Sequence, residues 1–169
     1  MRTVLRVVDS VSEWTGKTGQ WFAVALVGVM TFEVISRHVF GRPNLWVHEL
    51  VIMMGASLYA LGYGYVQRHD AHIRADLFYA RLSPRGRAIV DVVGWLLIFF
   101  PLMILLIDTS ISYAVRAWRI GERMPITGWY PSVVPLRMVV ALGFCVLALQ
   151  GVAQLIRDLH LLIRNKPYD

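Results

Sequence analysis

Four stretches of the chain carry no charged residue, and polar segments separate them. Residues 18–32 give 15 uncharged positions, 50–66 give 17, 92–107 give 16 and 138–156 give 19. A membrane-spanning helix needs about 20 mostly apolar residues, with a range of about 17–25. Each run reaches that length once one flanking polar residue per end is included. Runs this long, and apolar on every face, exceed the usual buried helix of a soluble core. The pattern predicts an all-α integral membrane protein with four transmembrane helices, at about 18–38, 46–67, 88–114 and 132–156.

The segments between the runs have patterns of their own. Val4, Val7, Val8, Val11 and Trp14 recur at helical spacing, with Arg2, Arg6, Asp9 and Glu13 between them. Residues 1–17 therefore read as a short amphipathic helix lying on the inner surface, with Trp14 at headgroup depth. Asp9 and Glu13, and the lack of a small-residue cleavage site after the first run, argue against a signal peptide. In the connection 67–87, Ile73, Leu77 and Ala80 share a helical face, so a second interfacial helix capped by Asp70 is expected. Ser83–Pro84 is a start signal for the third helix, and Pro101 predicts a kink within it. The connection 117–135 holds three prolines and two glycines, with Trp118, Trp129 and Tyr130 as an expected aromatic belt.

Composition sharpens this picture. The chain of 169 residues is 57% hydrophobic with mean hydropathy +0.55, and only 17% of it is charged against about a quarter in soluble domains. A net charge of +6 raises the question of nucleic acid, but the basic residues sit at helix ends and in loops rather than on one face. With the N-terminus inside, 11 Lys and Arg fall in 1–17, 67–91 and 157–169, and 6 fall on the other side. The positive-inside rule then predicts both termini in the cytoplasm. The expected organisation is an N-terminal amphipathic segment (1–17), a four-helix membrane domain (18–158) and a cytoplasmic tail (159–169). Cys145 is the one cysteine and lies inside the fourth run, so no intrachain disulfide can form.

Few residues are left to carry chemistry. Glu33, Arg37, Glu49, Asp108 and Arg137 are all expected in or near the outer half of the bilayer. Intramembrane charges are costly and are usually paired or face an interior. The expectation is a buried polar cluster tying the outer helix ends, with Arg37 able to reach Glu49 across the turn of Gly41 and Pro43, or Glu33 four residues back. A proton or ion pathway is the competing reading, but it needs polar groups that continue across the membrane. His69 and His72 alone do not make a metal site. The five histidines (38, 48, 69, 72, 160) lie at ends or in loops, which disfavours haem. No nucleophile–base arrangement is present, so no enzyme activity and no cofactor or metal is expected.

Taken in order, Arg37, Phe40, Pro43, Trp46 and Glu49, then "HIRADL" over 72–77, then the proline-spaced outer loop and "LALQG" in the last run, resemble the small membrane subunit of tripartite ATP-independent periplasmic (TRAP) transporters, the DctQ-type family. The resemblance covers about residues 20–158. It implies a bacterial inner-membrane protein that partners a large membrane subunit carrying the substrate and sodium sites. It also implies a periplasmic binding protein that delivers an organic acid, and contact with membrane lipid. On this resemblance Arg37, Trp46, Glu49, His72, Arg74 and Asp76 are structural or interface residues. His38 stands where the family has an aromatic, and His48 where it often has an acid. The alternatives are a small proton-coupled antiporter using Glu33 and the membrane anchor of a respiratory enzyme.

Overall fold

The computed structural model describes residues 2–69 and 84–164. It holds α1 (Arg2–Val39), α2 (Leu45–Arg68), α3 (Pro84–Gly94), a π-helical turn (Trp95–Phe99), α4 (Phe100–Ile120) and α5 (Val134–Arg164). Four segments are long and apolar enough to cross a membrane: Leu5–Val39, Leu45–Arg68, Ile89–Ile120 and Val134–Ile163. The all-α, four-span expectation is therefore met. The one β-bridge among the described residues, Arg123 to Ser132, pins the loop between α4 and α5.

Helix ends follow local chemistry. After α1 the chain turns at Gly41, whose φ of 62° suits glycine. The Arg42 N–H donates back to the Ser36 carbonyl at 3.1 Å. Asn44 caps α2 only through its backbone, because its side chain is committed to Glu33 and Ser36. α4 stops at Gly121, φ 59°. The Glu122 N–H reaches the Ala117 carbonyl and the Gly121 N–H reaches that of Trp118, a Schellman ending.

One expectation is corrected. Residues 1–17 are not a separate interfacial helix. They are the first half of a continuous 38-residue α1, about 57 Å long against a hydrocarbon core of about 30 Å. The amphipathic reading had two faces, and the polar one proves to be the covered one. Ser12 is fully buried, whereas Val7, Val11 and Trp14 stay exposed. α2 and α5 supply the cover, and their partners for Asp9, Ser12 and Glu13 lie far along the sequence. Pro101, for its part, follows the π-helical turn, in which the Phe100 N–H bonds the Trp95 carbonyl five residues back. Proline has no N–H for the preceding turn, and one residue of extra slack absorbs the mismatch. The expected second interfacial helix, with Asp70, His72, Arg74 and Asp76, lies outside the described residues.

The helices pack in the order α1, α2, α5, α4. α1 also touches α5, α3 lies on α5, and α4 leans chiefly on α5. α1 and α4 thus sit at opposite edges. The α2–α5 crossing is close: a Cβ on Gly143 would lie 2.4 Å from the Ala60 carbonyl oxygen. Small residues allow such approach where membrane helices must gain by van der Waals contact rather than by expelling water. At the other seam the Phe99 ring, turned by the π-helical segment, fills the notch over Gly151.

Candidate functional site at the two polar ends

At the end expected to face outward, called outer below, with the opposite end called inner, Glu33 is 8% exposed and tied on three sides. Arg37 Nη2 donates to its Oε1 at 2.8 Å and Nε at 3.2 Å. The Asn44 N–H reaches Oε2 at 3.2 Å, and Asn44 Nδ2 reaches it at 3.0 Å. One carboxylate thereby holds the last turn of α1 against the first residue before α2. Charge-assisted bonds of this kind are the strong ones.

Glu49 is fully buried on the first turns of α2. The backbone N–H of Thr127, in the outer loop, donates to its Oε1 at 2.8 Å. Its Oε2 has no hydrogen-bond partner among the described residues. Arg37 therefore does not pair with Glu49. The i,i+4 geometry on a single helix gives Glu33 the guanidinium, and loop backbone takes Glu49 instead. Arg137, near the start of α5, bonds Glu122 at 2.5 Å and the Tyr113 carbonyl at 3.2 Å, and lies over the Tyr113 ring. Trp46 joins Phe32 and Trp129 in an aromatic group with ring centroids 6.2 and 6.4 Å from it. The expected single cluster is thus three local fasteners, each closing a different seam. Asp108 belongs to none of them. It is exposed on α4, with no ion pair among the described residues.

The inner end carries a network that the sequence reading did not assemble. Ser12 Oγ donates to Gln150 Oε1 at 2.9 Å, and Gln150 Nε2 donates to Asp9 Oδ1 at 3.1 Å. Arg157 Nη2 bonds Asp9 Oδ2 at 2.6 Å. Arg68 pairs with Glu13 and also reaches the Asp9 carbonyl at 3.2 Å. Three helices, α1, α2 and α5, are clamped by one set of side chains. The Trp95 Nε1–H donates to Asp158 at 2.9 Å and ties in the third span at the same level. The available signal was Gln150 and Gln154, the strong polar residues inside the fourth apolar run, together with Asp9 and Glu13 four residues apart on one helical face.

Between the two polar layers the described buried positions are apolar, among them Ala60, Leu61, Ala141, Val146 and Leu147. Ser57 is the exception, and its hydroxyl bonds the Met53 carbonyl of its own helix. Side chains arranged this way fasten helices together; they do not form a continuous relay from one face to the other.

Residues 26–161 match the family described as tripartite ATP-independent periplasmic transporters, DctQ component. A curated relative is the sialic acid TRAP transporter permease protein SiaT of Haemophilus influenzae (strain 86-028NP), 24% identical over 95 residues. That match covers 56% of this chain and 15% of the relative, so the chain corresponds to a small part of the longer permease. The family is a transporter component and not an enzyme, which sets aside a respiratory-enzyme anchor. With four spans and polar fasteners at both ends, the chain is a multi-pass membrane subunit. It belongs to the DctQ component family of tripartite ATP-independent periplasmic transporters.

Proposed function

We propose that this chain is a rigid scaffold in the bacterial inner membrane that supports a large membrane subunit in sodium-coupled uptake of an organic acid. A periplasmic binding protein delivers the acid, and both termini of the chain face the cytoplasm. The observation that carries the scaffold role is the separation of the two polar layers by apolar packing. A carrier needs polar groups along its path, and transporter cores of the repeat type use broken helices near mid-membrane. Here Glu33, Asp9, Glu13 and Glu122 near the ends are held by Arg37, Arg157, Arg68 and Arg137. Glu33, the residue an antiporter would use, is held by Arg37 and Asn44, which leaves it poorly placed to exchange a proton with two sides of the membrane.

The sodium and substrate sites then belong to the large subunit, and sialic acid, named for the matched relative, is a sensible first substrate to try. In liposomes under an inward sodium gradient, with binding protein and labelled acid outside, uptake is expected only when the large subunit is present beside this chain. Uptake by this chain alone would overturn the proposal.

A further inference from the structure

α4 buries one face and leaves the other bare. Met103, Ala114 and Ala117 are buried and share the face toward α5. Around the opposite face, Leu105, Asp108, Thr109, Ser112 and Arg116 are all exposed. An exposed leucine suits lipid. The run of Asp, Thr and Ser does not.

Depth decides how costly this is. Asp108 lies 13 residues after Trp95, which marks the inner end through Asp158, and 10 before Trp118 near the outer end of α4. At 1.5 Å per residue these are about 20 and 15 Å, so Asp108 sits near the middle of a hydrocarbon core of about 30 Å. Thr109 and Ser112 can return their hydroxyl protons to their own helix. Arg116 stands two turns nearer the outer surface and has a stem long enough to snorkel. Asp108 has neither escape, and no cation of the described residues pairs with it. Ionisable residues at such depth almost always face a protein interior or a partner. α5 lies behind α4, so the cover must come from another chain.

We infer that this stripe of α4, centred on Asp108, is the surface on which a second membrane-spanning chain docks, and that the partner presents a cation or hydrogen-bond donor at mid-membrane depth. Under the functional reading above, on which this step rests, the partner is the large transporter subunit. A second copy of this chain fits poorly. Two copies in one membrane with the same orientation are related by an axis along the membrane normal, which brings each Asp108 to the depth of the other. Like charges would then oppose each other across the contact.

The test uses the full chain co-produced with the large subunit and measures complex dissociation in nanodiscs. Asp108→Leu should weaken the complex roughly three- to twentyfold, the range that polar contacts between membrane helices span. Asp108→Asn, which keeps a hydrogen-bonding group, should lose less. Leu105→Trp on the same face should also weaken the complex, and Val27→Trp, on the exposed face of α1, should not. The melting temperature of each variant alone separates misfolding from lost docking, and Asp108→Leu should not lower it. Unchanged dissociation for both Asp108→Leu and Leu105→Trp would overturn the inference and leave the scaffold reading standing. Failure of the wild-type chain to bind the large subunit at all would overturn that reading instead. In a Cys145→Ala background, a Ser112→Cys chain that crosslinks to itself, or that a photocrosslinker joins to lipid alone, would likewise overturn the docking surface.

Discussion

Two buried glutamates near the outer surface do different jobs. Glu33 ties α1 to the turn before α2 through Arg37 and Asn44, and Glu49 ties α2 to the outer loop through the Thr127 N–H. Single and paired charge swaps separate them. Arg37→Glu and Glu33→Arg should each lower the melting temperature in detergent. The Glu33→Arg, Arg37→Glu double swap should regain the ion pair but not the two Asn44 contacts, so recovery should be partial. Arg37→Glu with Glu49→Arg should show no recovery, because the structure places no contact between those positions. Removal of Glu49 alone leaves the Thr127 N–H without its acceptor, which costs about 1–3 kcal/mol when such a group stays buried. Full recovery in the Arg37–Glu49 pair would contradict the assignment. The Glu33–Arg37 pair was legible because four residues on a helix fix its geometry. The Glu49–Thr127 bond was not, because it depends on where a loop 78 residues away folds back.

The same contrast holds for whole helices. Uncharged runs located all four spans, since hydrocarbon imposes length and polarity directly on sequence. The N-terminal half of α1 was misread because periodicity reveals two faces and not which one a neighbour covers. Here Gln150, Arg157 and Arg68 turn a polar face inward. Close packing was equally hidden, and two glycines make it measurable. Gly143→Ala places a Cβ 2.4 Å from the Ala60 carbonyl oxygen and forces α2 and α5 apart. Overpacking of this sort costs about 1–3 kcal/mol. Gly28, on exposed α1, meets nothing within 4 Å of an added Cβ. Gly28→Ala should be neutral or stabilise by up to about 1 kcal/mol through helix propensity. Equal melting temperatures for the two variants would mean that the α2–α5 crossing yields more easily than its geometry suggests.

At the scale of the molecule, the proposed orientation decides what each polar end can meet. The inner end gathers Arg6, Lys17, Arg68 and Arg157, three of them bound to Asp9 or Glu13. The outer end carries Arg42, Arg116, Arg119 and Arg123 as exposed cations beside the paired Arg37 and Arg137. Pairing does not weaken the inner claim, because the positive-inside rule counts Lys and Arg rather than net charge. The expected arrangement puts the loop between α4 and α5, fastened by Glu49, Glu122 and the Arg123–Ser132 bridge, on the periplasmic side. There it is open to a soluble binding protein, while the Asp9 clamp faces the cytoplasm. Reporter fusions ending at His69, Thr127 and Arg164 should read inside, outside and inside. A reversed pattern would place the aromatic outer loop in the cytoplasm, out of reach of any periplasmic partner. The scaffold role could survive that result, but any part for this chain in receiving the binding protein could not.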